Sequence, residues 1–496
     1  MVAEPARNMA SDTVTIPVPH LGESLVSTLK RLSVIGLATT LITSLAFASP
    51  AQAGVDNPLM PSMFGRIFPA EPLFNTQTNQ ELADLAQIQL DPNADADNNP
   101  TGLMSGFTYF GQFVDHDLTR DISPSPTARI DVTTIPNNRT YKFDLDSVYG
   151  GGPSVSPQLY AADGLHFLVQ NPSPNGVVDL PRNPDGSAIL VEPRNDENQI
   201  ISQIHTAFLL FHNAQVDRGL TFAMAQVNTI AAYQTVVLTE FLPHIVGQAT
   251  INSLLAKDAT RFFDPGKKKE PMTPIEFSVG VYRFGHSQVR LAYRLNGTNN
   301  CQNLQVFSLT APDASLMGGR PLQAGRQIAW GQFLPDLPQP PECAALQVIA
   351  PASNRNVSRK IDTLLSASLF RLPIPGAEAT GSNVLAFRNL IRAKFYDMPS
   401  GESIARQMGL PVVHVTLPPP LDVAFANGTP LWYYILAEAG MTQNGARLGP
   451  VGATLVADCF LYVMQLDKES ILNKPPVTPP VNTLADILIT AGLASR

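Results

Sequence analysis

The feature that most limits the fold is a spacing of apolar residues that recurs along the chain. In 198–218, Ile200, Ile201, Ile204, Phe208 and Phe211 fall three and four apart, the period of one face of an α-helix. The stretch 229–247 continues in the same apolar style, and further helices are expected at 275–291, 358–371 and 383–395 after Gly381. A last pair is expected across 430–466, separated by the glycine-containing 440–453 segment. No internal repeat is present, and no sustained alternation of apolar and polar residues asks for a large sheet. The 44 prolines in 496 residues exceed the usual share of roughly 5%, so long irregular connections should separate the helices. The loop-rich region ahead of residue 197, with Gly150, Gly151 and Gly152, is the clearest of them. The expected class is mainly α, a single large domain with long irregular loops and little β structure.

The apolar run from Leu32 to Phe47 follows Lys30 and Arg31 and precedes Ala51-Gln52-Ala53, the order of an export leader. It is shorter than the roughly 20 residues that span a bilayer. The 29 residues before Lys30 make the leader long, which leaves open a start at Met9 or an uncleaved anchor. We therefore expect a leader over 1–53, an N-terminal arm over 54–105, the main domain over 106–470 and a tail over 471–496. The mature chain is expected to be secreted or periplasmic, without a stable transmembrane span. A net charge of −8, with no stripe of lysine and arginine, gives no field for nucleic acid. The three cysteines, Cys301, Cys343 and Cys459, allow at most one bridge. Cys301 and Cys343 flank a proline-rich stretch, and a bridge between them and buried free thiols are both open at this point.

Three polar clusters interrupt this apolar pattern. Gly111-Gln112-Phe113-Val114-Asp115-His116-Asp117 sets a histidine between two acids inside an apolar-aromatic stretch, 106–118. Burying such groups requires metal, hydrogen-bonding or covalent partners; a helix turning from its buried to its exposed face would read the same way. Arg194-Asn195-Asp196-Glu197 precedes the 198–218 helix, and taken alone it is an acidic helix start favoured by the dipole. Tyr282-Arg283-Phe284-Gly285-His286 places a histidine in an aromatic-rich segment, where a satisfied core histidine is the plainer reading.

Taken together and in this order, the clusters resemble the animal-type haem peroxidases of the peroxidase-cyclooxygenase superfamily, over about residues 60–470. The resemblance implies a haem-peroxidase domain that reduces hydrogen peroxide and oxidises a small donor, a halide, thiocyanate or phenol, through an oxidised haem. It puts His116 at the family's distal histidine, with Gln112 one helical turn before it. Arg194 stands at the catalytic arginine and Glu197 at a haem-linked glutamate three residues on. His286 stands at the proximal ligand, and Asn389, in a segment that departs from the family's usual continuation, stands at that ligand's hydrogen-bond partner. The cofactor implied is haem b, with ester links to Asp115 and Glu197; Asn198 stands where some members carry a methionine, so a sulfonium link is impossible here. The chemistry suits these types. An imidazole with a fixed partner makes an axial ligand, a histidine can shuttle the peroxide proton, and a guanidinium stabilises the departing oxygen.

The resemblance also implies a calcium site. Thr140, Lys142 through its carbonyl, Asp144 and Asp146 alternate ahead of Ser147-Val148-Tyr149-Gly150, and Asp117 would join them in an oxygen-rich shell. Without the resemblance, Asp144-Leu145-Asp146-Ser147 would pass for a solvated turn. Three other functions stay open, one of them a secreted binding protein that merely retains the fold. The same superfamily contains fatty-acid dioxygenases, whose radical tyrosine stands three residues before the proximal histidine; that position is Arg283 here, with Tyr282 one residue further away. A metal-dependent hydrolase would use His116 and Asp117 as a metal dyad.

Overall fold

Side-chain caps and glycine or proline stops set the helices close to where the apolar period puts them. The computed structural model describes residues 62–496 apart from 72–75, 94–96, 122–126, 257–258, 260, 264–271, 309, 347–353, 375–382 and 477–480. All of these fall in one compact unit, Ser49–Arg496. The expected leader over 1–53 lies outside the described residues. Helices among them include α1 (Asn79–Gln87), α2 (Ser105–Leu118), α3 (Gln199–Asp217), α4 (Phe222–Val236), α5 (Leu385–Phe395), α6 (Leu431–Gln443), α7 (Pro450–Leu466) and α8 (Leu484–Thr490).

Thr78 and Glu81 form a capping box on α1, and Asn198 accepts from Ile200 and Ile201 N–H at 3.1 and 3.0 Å to start α3. Thr221 caps α4. Asn444 ends α6 in the left-handed conformation, and Pro450 opens α7. Strand β1 (Ser62–Gly65) pairs antiparallel with β2 (Pro136–Asn137), Ser62 opposite Asn137, and parallel with β3 (Met272–Pro274), Phe64 opposite Thr273. With one further two-stranded pairing, 292–293 with 304–305, the class is mainly α. α1 packs on α5, and α8 packs on α3. No helix among the described residues is long and apolar enough to cross a membrane.

Two expected helices take other forms. Over 358–371 only Ala367–Phe370 coils, as a 3-10 turn. The backbone donors of Ser358, Ile361 and Leu365 go instead to the carbonyls of Leu103, Gly445 and Gln89 at 2.7, 2.9 and 2.7 Å, and Arg359 is buried against Asp91 and Asp97. Distant partners thus outcompete the i to i−4 ladder. The 275–291 segment is a π turn, Glu276–Gly280, followed by a 3-10 run, Val281–Gln288. The 229–247 stretch begins earlier, at Phe222, passes through a π turn at Val237–Phe241 and ends at Gly247 (φ +81°).

The core gathers around α2. Phe113 stacks on Phe208 of α3 at 4.8 Å, and Phe110 meets the edges of Tyr233 and Phe241. Cys301 and Cys343 are bridged, and Cys459 is a buried free thiol.

Candidate active site

No side chain caps α2. Its first-turn donors, Ser105 and Gly106 N–H, bond to the carbonyls of Asn356 and Phe333 at 2.7 and 2.9 Å. A Cβ at Gly106 would lie 2.4 Å from the Phe333 oxygen, so this approach requires glycine. Anchored in this way, α2 carries Gln112, Asp115 and His116 to the wall of a cavity of about 740 Å³. The turn before α3 adds Arg194 and Glu197, the Val281–Gln288 run adds Arg283 and His286, and α5 adds Arg388 and Arg392. The three clusters singled out in the sequence therefore meet on one cavity.

His116 is buried, with Nδ1 2.8 Å from Asn195 Oδ1. Burial, helped by the Arg194 charge, pushes its pKa down to about 3, so the ring is neutral near pH 7. His286 is likewise pushed down to about 3 by burial and by Arg283. Asn389 sits behind it, amide Nδ2 2.9 Å from His286 Nδ1, while Arg283 Nη1 donates to Asn389 Oδ1 at 3.5 Å. An imidazole that ligates a metal through Nε2 keeps its proton on Nδ1 and needs an acceptor there. Asn389 supplies one when its amide turns over, at the cost of the long Arg283 contact. Trp432 faces the His286 ring edge-on at 6.3 Å and donates to the Arg283 carbonyl at 3.1 Å.

Arg194 is held from several sides. Its Nε donates to Glu192 Oε1 at 2.8 Å and its Nη2 to the Thr119 carbonyl at 2.5 Å, with Nη1 3.8 Å from Asp115. Burial opposes its charge, but Glu192, Asp115 and Glu197 outweigh it and hold the guanidinium protonated. Glu192 is fully buried and, despite desolvation, is held well below the usual carboxylate range by Arg194 and Arg139. Glu197 opens onto the cavity, but protein surrounds it, and this desolvation raises its pKa to about 7, offset in part by Arg194 and by a hydrogen bond from Gln112. Asp115 is raised by burial against the pull of Arg194 and accepts from Thr119 Oγ1 at 3.1 Å.

Carboxylate oxygens of Asp117, Asp144 and Asp146 lie within 4.8 Å of one another. Thr140 Oγ1 donates to Asp144 at 2.9 Å, and Ser147 Oγ donates to Asp117 at 2.7 Å. Desolvation raises all three acids, as expected of carboxylates crowded where a cation would suit them. Lys142 sets its ammonium 3.7 Å from Asp467. His116 and Asp117 diverge, one toward Asn195 and the cavity and the other toward Ser147. No dyad forms between them, which removes the geometric basis for the hydrolase reading.

Sequence reasoning assigned no role to Asn195, Glu192 or Arg139. Arg139 donates to the His116 carbonyl at 2.9 Å and pairs with Glu192, and its Nε lies 3.8 Å from Asp146. A signal existed for Glu192 and Asn195, which flank Arg194 within three positions. None existed for Arg139.

A sequence model described as Animal haem peroxidase matches residues 123–316. Chorion peroxidase of Aedes aegypti is 28% identical over 178 residues, 31% of this chain; the chain spans 22% of that relative's length. Among solved structures, Peroxidase A from Dictyostelium discoideum aligns with a TM-score of 0.60 at 18% identity, covering 90% of this chain and 98% of that one. The Oryza sativa fatty acid alpha-dioxygenase aligns at 0.57 and 13% identity, covering 86% and 80%. Residues 123–316 thus resemble the animal haem peroxidases in sequence, and the chain shares the fold of the aligned peroxidase and fatty acid alpha-dioxygenase.

Proposed function

We propose that the chain is a haem peroxidase that reduces hydrogen peroxide and oxidises a small donor, a halide, thiocyanate or phenol. The observation that carries this reading is the pair His116 and His286: two neutral imidazoles on one cavity, each with Nδ1 against an asparagine amide.

The residues fit haem b. His286 would hold the iron, with Asn389 orienting the ring. Arg283, Arg388 and Arg392 put three guanidinium groups on the cavity wall, suited to the carboxylates of the porphyrin. Haem, when bound, supplies the redox centre that takes two electrons from the donor and passes them to peroxide. The other steps belong to the chain. His116 takes one proton from hydrogen peroxide and returns it to the departing oxygen, so that water leaves. Arg194, fixed by Glu192, stabilises the charge that builds on that oxygen. Gln112 bonds Glu197, and both face the cavity, where they position small polar ligands. Calcium held by Asp117, Thr140, the Lys142 carbonyl, Asp144 and Asp146 would brace the end of α2 next to His116. The Cys301–Cys343 bridge supports an oxidising compartment, secreted or periplasmic.

The test is a steady-state screen of haem-loaded protein with peroxide against halides, thiocyanate and phenols. Donor oxidation with a Soret band supports the reading, and a colourless protein rejects it. The likeness to a fatty acid alpha-dioxygenase and the apolar wall at Leu369, Leu372 and Ile374 favour one second reading, oxygenation of a fatty acid. Arg283 stands where that chemistry needs tyrosine, and the Tyr282 hydroxyl donates to the Gly111 carbonyl at 3.3 Å. Oxygen uptake with fatty acid, abolished in Tyr282→Phe, would select it.

A further inference from the structure

We infer that Asn195 is a positioning residue that sets the tautomer of His116 by playing it against a second buried histidine, His205. The inference rests on the proposed role of His116 as the proton shuttle. Asn195 Oδ1 lies 2.8 Å from His116 Nδ1, and Asn195 Nδ2 lies 2.9 Å from His205 Nδ1. Asn195, His116 and His205 are at most 4% exposed, so water does not compete for these bonds.

One amide between two imidazoles can serve only one of them as acceptor and must serve the other as donor. The two rings therefore carry opposite tautomers. His116 donates Nδ1–H to the amide oxygen, which leaves Nε2 bare as its remaining ring nitrogen, on a side chain that lines the cavity. His205 accepts at Nδ1 from the amide N–H and carries its own proton on Nε2. A base that takes the peroxide proton needs that bare Nε2; the opposite tautomer would present an N–H and could not accept. The backbone that carries Asn195 is hydrogen-bonded within a turn. Its N–H bonds to the Glu192 carbonyl at 2.9 Å within the Pro193–Asp196 turn. His205 lies on α3 with its ring edge-on to Phe113 at 6.2 Å. The sequence distance between His116 and Asn195, 79 residues, hides the arrangement from any local pattern.

The test reads the tautomers directly, by 15N NMR of histidine-labelled protein, alone and as the diamagnetic ferrous carbonyl form, with resonances assigned from His116→Gln and His205→Gln. The expected parental pattern is His116 protonated at Nδ1 and His205 at Nε2. Asn195→Asp offers two acceptors and no donor, so His116 should keep Nδ1–H while His205 alone switches to it. Asn195→Leu should release His116 from its fixed tautomer. It should also slow cyanide association with the ferric protein, which needs a distal proton acceptor, by about 10- to 100-fold, the usual cost of losing an orienting partner; Asn195→Asp should restore most of that rate. An Nε2–H tautomer for His116 in the parent overturns the inference, as does an Asn195→Leu protein with tautomer and cyanide rate unchanged. Failure to bind haem would sink the peroxidase reading instead, and the histidine spectrum of the chain would still decide the tautomers.

Discussion

Glu192 accepts from Arg194 Nε at 2.8 Å while it also pairs with Arg139, so one buried carboxylate holds two guanidinium groups between the cavity and the acidic cluster. Glu192→Gln keeps the shape and removes the charge, leaving the buried Arg139 and the partly exposed Arg194 under-compensated. We expect a loss of about 3–5 kcal/mol, the usual cost of breaking a buried ion pair. The reaction with peroxide should also slow because Arg194 loses its anchor. Urea unfolding checks the first and stopped-flow absorbance the second; a variant as stable as its parent would contradict the assignment.

Calcium should stabilise the chain through Asp117, Asp144 and Asp146. With free calcium at about 100 times its Kd, linkage predicts about 2.7 kcal/mol. Thermal melts with calcium and with chelator should differ accordingly, and Asp144→Ala should abolish the difference. Metal analysis finding no calcium in active protein would reject the site.

Much of this site is legible in sequence because its chemistry is local. His116 with its flanking acids, Arg194 with Glu197, and His286 after its glycine each lie within one short segment, and helical spacing places α3, α5, α6 and α7. What stayed hidden depends on partners far along the chain. Asn195 gains its meaning only where it meets His116 and His205, and Arg139 only where it meets Glu192. The 358–371 segment has helical spacing but surrenders its backbone donors to Leu103, Gly445 and Gln89, a competition that no window of neighbours reveals.

Three histidines, His116, His205 and His286, are held neutral by burial, each pushed down to about 3. Unfolded histidine titrates near 6.5, so between about 6.5 and 3 the unfolded chain binds more protons than the folded one. Their contribution is fully present above pH 6.5 and is lost as the pH falls toward 3. Acids raised by burial, among them Asp117, Asp144 and Glu197, act in the opposite sense in parent and variant alike, so the histidine share is read by difference: the slope of the apoprotein's unfolding midpoint against pH between about 7 and 4 should be less positive in His205→Gln than in the parent. A slope identical in parent and variant would refute the burial argument for His205.

Asp115 and Glu197 both line the cavity, and if haem occupies it as proposed, ester links to these two carboxylates are expected. With peroxide as oxidant, such a link would exchange a methyl C–H and a carboxyl O–H for one C–O bond, and peroxide would be reduced to two waters. Haem should resist acid-solvent extraction increasingly after peroxide treatment, less so in Asp115→Val and Glu197→Gln, and not at all in the double variant. Complete extraction from the treated parent would exclude the links.

His286 is expected to hold the iron while His116 moves the proton. Absorbance spectra and stopped-flow peroxide mixing on His286→Ala and His116→Ala, prepared identically with haem, test it most directly. We expect His286→Ala to lose stable haem binding, and His116→Ala to keep the Soret band but react with peroxide about 10²- to 10⁴-fold more slowly. A His116→Ala protein that reacts at the parental rate, or a His286→Ala protein that retains haem with unaltered ligation, would contradict it.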